Sequence, residues 1–122
     1  MKRDVDLSRA ILRFVEEHAP PQGGVQKPLE IEGYDRPTNL AHAELLIEDG
    51  LLDGRVSKGL GGPVNIVIIK ITSRGHDALQ AIDNDTLWSK VKKTATEKGV
   101  SLTLDLAVAL AKSFGRQHLG LL

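Results

Sequence analysis

The chain has 122 residues, with 16 basic and 16 acidic side chains and a formal net charge of zero at neutral pH. That length fits one domain that can bury a core without covalent staples, and the lack of cysteine excludes disulfides, thiolate catalysis and cysteine-ligated zinc. Neutrality also weighs against an affinity built on displacing counterions from nucleic acid, although residues 1–61 carry a net −3 and residues 62–122 a net +3.

Only four residues are Phe, Trp or Tyr, so the core must be aliphatic. Met1 to Asp4 lead straight into a helix pattern, with no apolar signal segment. Ile66 to Ile69 is a strand-sized apolar stretch, and no apolar run approaches the roughly 18–20 residues a membrane span needs. Together with the missing cysteines, this sets the expectation of a cytoplasmic protein.

The first helix is predicted over residues 6–18. Leu7, Ile11, Leu12, Phe14 and Val15 recur at helical spacing, Arg9, Arg13, Glu16 and Glu17 fall elsewhere, and Asp4 or Asp6 can cap the start. Pro20 to Gly24 stop it. Residues 25–32 read as extended, because Val25, Leu29 and Ile31 alternate with Glu30 and Glu32. Gly33 to Pro37 turn the chain, and Pro37 is expected to hold Arg36 out of the helical region.

Thr38 or Asn39 can cap a second helix over about 39–49, with an apolar stripe of Leu40, Ala43, Leu46 and Ile47 and with Gly50 just past its end. A helix ending in Gly and running at once into Leu51 and Leu52 is how many winged helices pass from recognition helix to wing. Leu51–Val56 and Val64–Ile71 are the wing strands, with Ser57–Pro63 as a glycine-rich tip. Further helices follow over about 73–82, 86–98 and 103–117. Leu87, Trp88, Val91 and Ala95 form the buried side of the second of these. The last is apolar over most of its circumference, and such a helix is either deeply buried or shared with a partner.

Met1 to Leu7, His42 to Leu52, Ile71 to Leu79 running on to Asp85, and Trp88 to Lys92 together resemble a bacterial and prophage family of short proteins classed as a domain of unknown function. The layout is similar to YjcQ-like winged-helix proteins of prophage origin. The resemblance covers roughly residues 1–98. It implies a winged-helix-like fold and a phage or mobile-element setting, and it brings no catalytic residues. A full helix-turn-helix has a scaffold helix just before its recognition helix. Here only Gly33 to Pro37 lie between the extended segment and the second helix.

Two constellations bear on nucleic acid. Arg36, Asn39 and His42 lie at the start of the second helix, where Asn can bond adenine and Arg guanine or phosphate. The same residues also suit capping and turn chemistry, and Glu44, Glu48 and Asp49 oppose phosphates. Arg55 and Lys58 flank the hairpin tip, where a wing touches backbone. Lys90, Lys92, Lys93 and Lys98 are a local basic cluster that could meet a phosphate backbone or an acidic protein, but short charge runs of this kind are usually a solvated face. The four histidines, His18, His42, His76 and His118, form no HExxH pair, and neither a GxSxG elbow nor a phosphate loop is present.

The expectation is therefore an α+β, winged-helix-like domain over residues 1–98 with a helical extension over 99–122. It is non-enzymatic and uses no metal or cofactor. Its function is that of a phage-type protein that binds double-stranded DNA or modulates transcription through Arg36, Asn39, His42, Arg55 and Lys58. The alternative is a protein-interaction module that engages a host protein without DNA. Leu106, Leu110 and Phe114 on the last helix would then form a partner surface or a homodimer seam.

Overall fold

The computed structural model describes residues 1–118. The fold is α+β and winged-helix-like, with helices α1 (Val5–His18) and α2 (Arg36–Glu48), an antiparallel hairpin of β1 (Leu52–Gly59) and β2 (Gly62–Ile71), then α3 (Ser73–Ile82), α4 (Asp85–Glu97) and α5 (Leu104–His118). Residues 1–76 and 77–122 form two compact units, and the division falls inside α3. The last four residues of the expected 99–122 extension lie outside the described residues.

In the first unit α1 begins where the Asp4 carboxylate accepts the Leu7 N–H and ends at Ala19, held extended by the following proline. Leu7, Ile11, Leu12 and Val15 are fully buried on its inner face. Arg9, placed on the outer side by the sequence pattern, is also buried. Helix α2 packs on α1 and on both strands through Leu40, Ala43 and Leu46. It starts three residues earlier than periodicity indicated. Asp35 is the cap, its side chain accepting the Thr38 N–H, so Arg36 and Pro37 form the first turn. Proline suits the first turn of a helix, where its missing N–H would find no intrahelical partner, and this outweighs the restriction it places on Arg36.

Helix α2 closes with a Schellman motif. The Leu51 N–H reaches the Leu46 carbonyl and the Gly50 N–H the Ile47 carbonyl, with Gly50 at φ 78°. This turn delivers Leu51 and Leu52 directly into the buried base of the hairpin. The strands run further toward the tip than expected, pairing to Gly59↔Gly62, which leaves Leu60 and Gly61 as the turn.

Residues 25–32 form no strand. The segment touches the outer edge of β2 where the Val25 N–H donates to the Ile68 carbonyl, and there Gly24 passes so close that a Cβ would sit 2.9 Å from the same oxygen. Pro28 offers no N–H to continue a ladder, and Gly23 and Gly33, at φ 84° and 90°, bend the chain at either side. No helix forms over residues 19–35, so the scaffold helix of a helix-turn-helix is absent.

In the second unit Asn84 caps α4 by accepting the Leu87 N–H. Thr103 caps α5 by accepting the Leu106 N–H. The two helices pack together, with Trp88, Val91, Ala95, Ala107 and Ala111 buried. Leu106, Leu110 and Phe114 are half-buried within the chain, and the Lys90 ammonium stands 4.3 Å from the Phe114 ring centre.

Candidate functional site

The five residues that pointed to nucleic acid do not form one surface. Asn39 is 2% exposed and His42 1% exposed, both on the inner side of α2. The Asp4 N–H donates to His42 Nε2 at 2.9 Å, and His42 Nδ1 lies 3.0 Å from the Thr38 carbonyl. A ring that accepts at Nε2 carries a proton on Nδ1, which then donates to the Thr38 carbonyl. His42 bridges the start of α1 to the first turn of α2. Held inside the unit, neither Asn39 nor His42 reaches a base edge. Periodicity missed this because it scored both as polar.

Arg36 is exposed, and its guanidinium turns toward the hairpin, donating to the Val64 carbonyl at 3.2 Å and to Asn65 Oδ1 at 3.5 Å. Lys58 bends back onto α2 and pairs with Glu44 at 3.0 Å. That hydrogen bond, then the charges of Glu44 and Glu48, raise the Lys58 ammonium above the usual lysine range. Arg55 is exposed on β1 opposite Val67. The outer side of α2 thus offers Glu44, Glu48 and Asp49, with one of the two wing cations already neutralised.

The hairpin carries a feature that hydropathy alone did not reveal. Two register shifts, at Asp53/Gly54 and Ser57/Lys58, leave Ile69 and Val64 of β2 without partners in the ladder. These are β-bulges, which bend a strand and re-aim the extra side chain. Both extra residues are apolar and exposed, as are Val67 between them and Leu60 at the turn. Asp53, Arg55 and Lys70 on the hairpin are exposed as well.

Below the start of α2 lies a cleft of about 320 Å³ walled by Leu29, Glu30, Tyr34, Arg36 and Asn39. A second, of about 310 Å³, shares Leu29 and Arg36 and continues between residues 25–29 and Asn65, Ile66 and Ile68 of β2. The Tyr34 hydroxyl donates to Asp4 Oδ2 at 2.9 Å. Partial burial first, and then this bond, push its ionisation above the ordinary tyrosine value. Asn39 Oδ1 is buried and has no hydrogen-bond partner among the described residues.

Among the described residues no group of three or more His, Asp or Glu side chains could hold a metal ion, and no helix is long and apolar enough to cross a membrane. Residues 2–101 match the family described as a hypothetical protein, DUF2513. An uncharacterized protein of Haemophilus influenzae is 32% identical over 119 residues, covering 98% of this chain and 99% of its own length. No solved structure matches.

Proposed function

We propose, on the premise that the chain belongs to the DUF2513 family, that it is a non-enzymatic protein-interaction module of the cytoplasm. In this reading the hairpin docks a protein partner and DNA is not the ligand. The observation that carries the reading is the exposure of three apolar residues of one strand, Val64, Val67 and Ile69, two of them at register shifts, on a hairpin that also exposes Asp53, Arg55 and Lys70. Apolar patches with polar rims mark protein contacts more often than nucleic-acid contacts. The buried Asn39 and His42 and the acidic outer side of α2 support the same reading, because phosphate binding needs unpaired cations there.

The test is site-specific photo-crosslinking in the native host, with a photoreactive phenylalanine placed at Val67 and, as control, at the exposed Lys98. The expected result is a discrete protein adduct at Val67 only, lost on Val64→Asp. An adduct with nucleic acid, or equal labelling at both positions, contradicts the reading.

A further inference from the structure

The geometry points to an antiparallel homodimer built on α5, in which Asp105 of each copy is set against the cations of the other. Helix α5 carries two stripes of apolar and small residues. Ala107, Ala111 and Phe114 form the one packed on α4: both alanines are buried, and Phe114 lies under the Lys90 ammonium. Leu106, Ala109, Leu110 and Ser113 form the other, at i, i+3, i+4 and i+7, the spacing of a helix seam. Ala109 is exposed and the other three are half-buried. One neighbouring helix uses one stripe, and a second stripe is the mark of a helix shared with a partner.

The charges on α5 select the occupant. Asp105, Lys112 and Arg116 lie along the exposed side of the helix, beside the second stripe, and none of them forms an ion pair among the described residues. The positions three and four residues either way from Asp105 are Ser101, Leu102, Val108 and Ala109, so no cation of its own helix is in reach. A two-fold axis between Ala109 and Leu110 lays a second α5 antiparallel on the first. Leu106 then meets the partner's Ser113, and Ala109 meets the partner's Leu110. Asp105 comes level with the partner's Lys112 and the partner's Arg116, and the same contact repeats on the other side of the axis. A parallel pair would bring like charges level instead. An unrelated acidic or basic partner would satisfy one end of this helix, whereas a second copy satisfies both. The inference is independent of the hairpin reading, since it concerns α5 and a copy of the same chain.

The experiment is sedimentation equilibrium of the full chain. The mass should rise from monomer toward dimer between about 1 and 500 µM protein, the range of a small interface. Ala109→Glu changes an exposed position that a monomer tolerates, and it should weaken association at least about tenfold. The helix dipole also favours an acid at the start of α5 and cations near its end, so charge reversal is read in mixtures, where only pairing between copies can rescue it. Asp105→Lys alone, and Lys112→Glu/Arg116→Glu alone, set like charges against each other and should stay monomeric. Their equimolar mixture restores opposite charges at both contacts and should form a mixed dimer within about tenfold of the wild-type affinity. Circular dichroism reports whether each variant is folded; should a charge variant unfold, Ala109→Glu decides. Wild type that stays monomeric to about 500 µM would overturn the inference. So would a dimer indifferent to Ala109→Glu, or a mixture no more associated than its parts. A dimer lost on Val67→Asp would overturn it while placing the seam on the hairpin.

Discussion

The backbone N–H of Asp4 donates to Nε2 of His42 across 38 residues of chain, and the same aspartate caps α1 through its side chain and accepts from Tyr34. Three segments therefore meet at one aspartate: the start of α1, the loop before α2, and α2 itself. Replacing His42 by Leu keeps the apolar contact but leaves the partly buried Asp4 N–H unmatched. The expected loss is about 1–3 kcal/mol of unfolding free energy, read from urea denaturation monitored by Trp88 fluorescence or circular dichroism. A variant within about 0.5 kcal/mol of wild type would show that the bond contributes little.

The N-terminus of α3 is pressed against the base of the hairpin at Gly75. A Cβ there would collide with the Leu51 carbonyl oxygen and the Ile71 side chain, and backbone cannot yield as a flexible side chain does. Gly75→Ala should cost at least about 2–3 kcal/mol despite the better helix propensity of alanine. The control is Gly61→Ala, where nothing lies within 4 Å of the added carbon. Thermal melts of the two variants should separate clearly, and equal melting temperatures would refute the close approach.

Stability should decline at alkaline pH for two identifiable reasons. Tyr34 is raised by burial and its bond to Asp4, and Lys58 is raised by its bond to Glu44. A raised group stabilises the fold fully below its unfolded value, near 10.0 for Tyr34 and 10.5 for Lys58, and that contribution is lost as pH climbs through the folded value. The doubly substituted Tyr34→Phe/Lys58→Met protein should therefore show a flatter stability profile between about pH 9 and 12. An unchanged slope would mean that neither bond persists in solution.

Asp35 acts in the opposite direction. Its bonds to Thr38 hold the carboxyl below the usual aspartate value. The contribution is present above the unfolded value and disappears as pH falls through the folded one. Asp35→Asn keeps a capping oxygen but removes the charge, so its acid unfolding limb should be shallower than that of wild type. Identical limbs would remove the cap from the account.

Much of the frame was legible in the sequence because it rests on local signals. The 7–11–15 spacing, the Gly50 stop before Leu51-Leu52 and the β-branched run from Val64 each specify an element without knowledge of its neighbours. The N-terminal family resemblance likewise agreed with the family match over residues 2–101. What was not legible depends on tertiary contact. Asn39 and His42 read either as base contacts of a recognition helix or as cap and turn residues, yet both are buried, and His42 is held by a bond from Asp4 far along the chain. Val64 and Ile69 read as ordinary alternation, because a bulge appears only once the partner strand sets the register. Residues 25–32 alternated like a strand, but Pro28 and the flanking glycines limited their pairing with β2.

The central claim is that the winged-helix-like frame serves a protein partner rather than DNA. Fluorescence anisotropy of a labelled random-sequence duplex at low salt tests it most directly, since low salt exaggerates any phosphate attraction. The account predicts no saturable rise up to tens of micromolar protein, roughly. Saturable binding with a Kd below about 10 µM, weakened by added salt and by Arg36→Gln or Arg55→Gln, would contradict it.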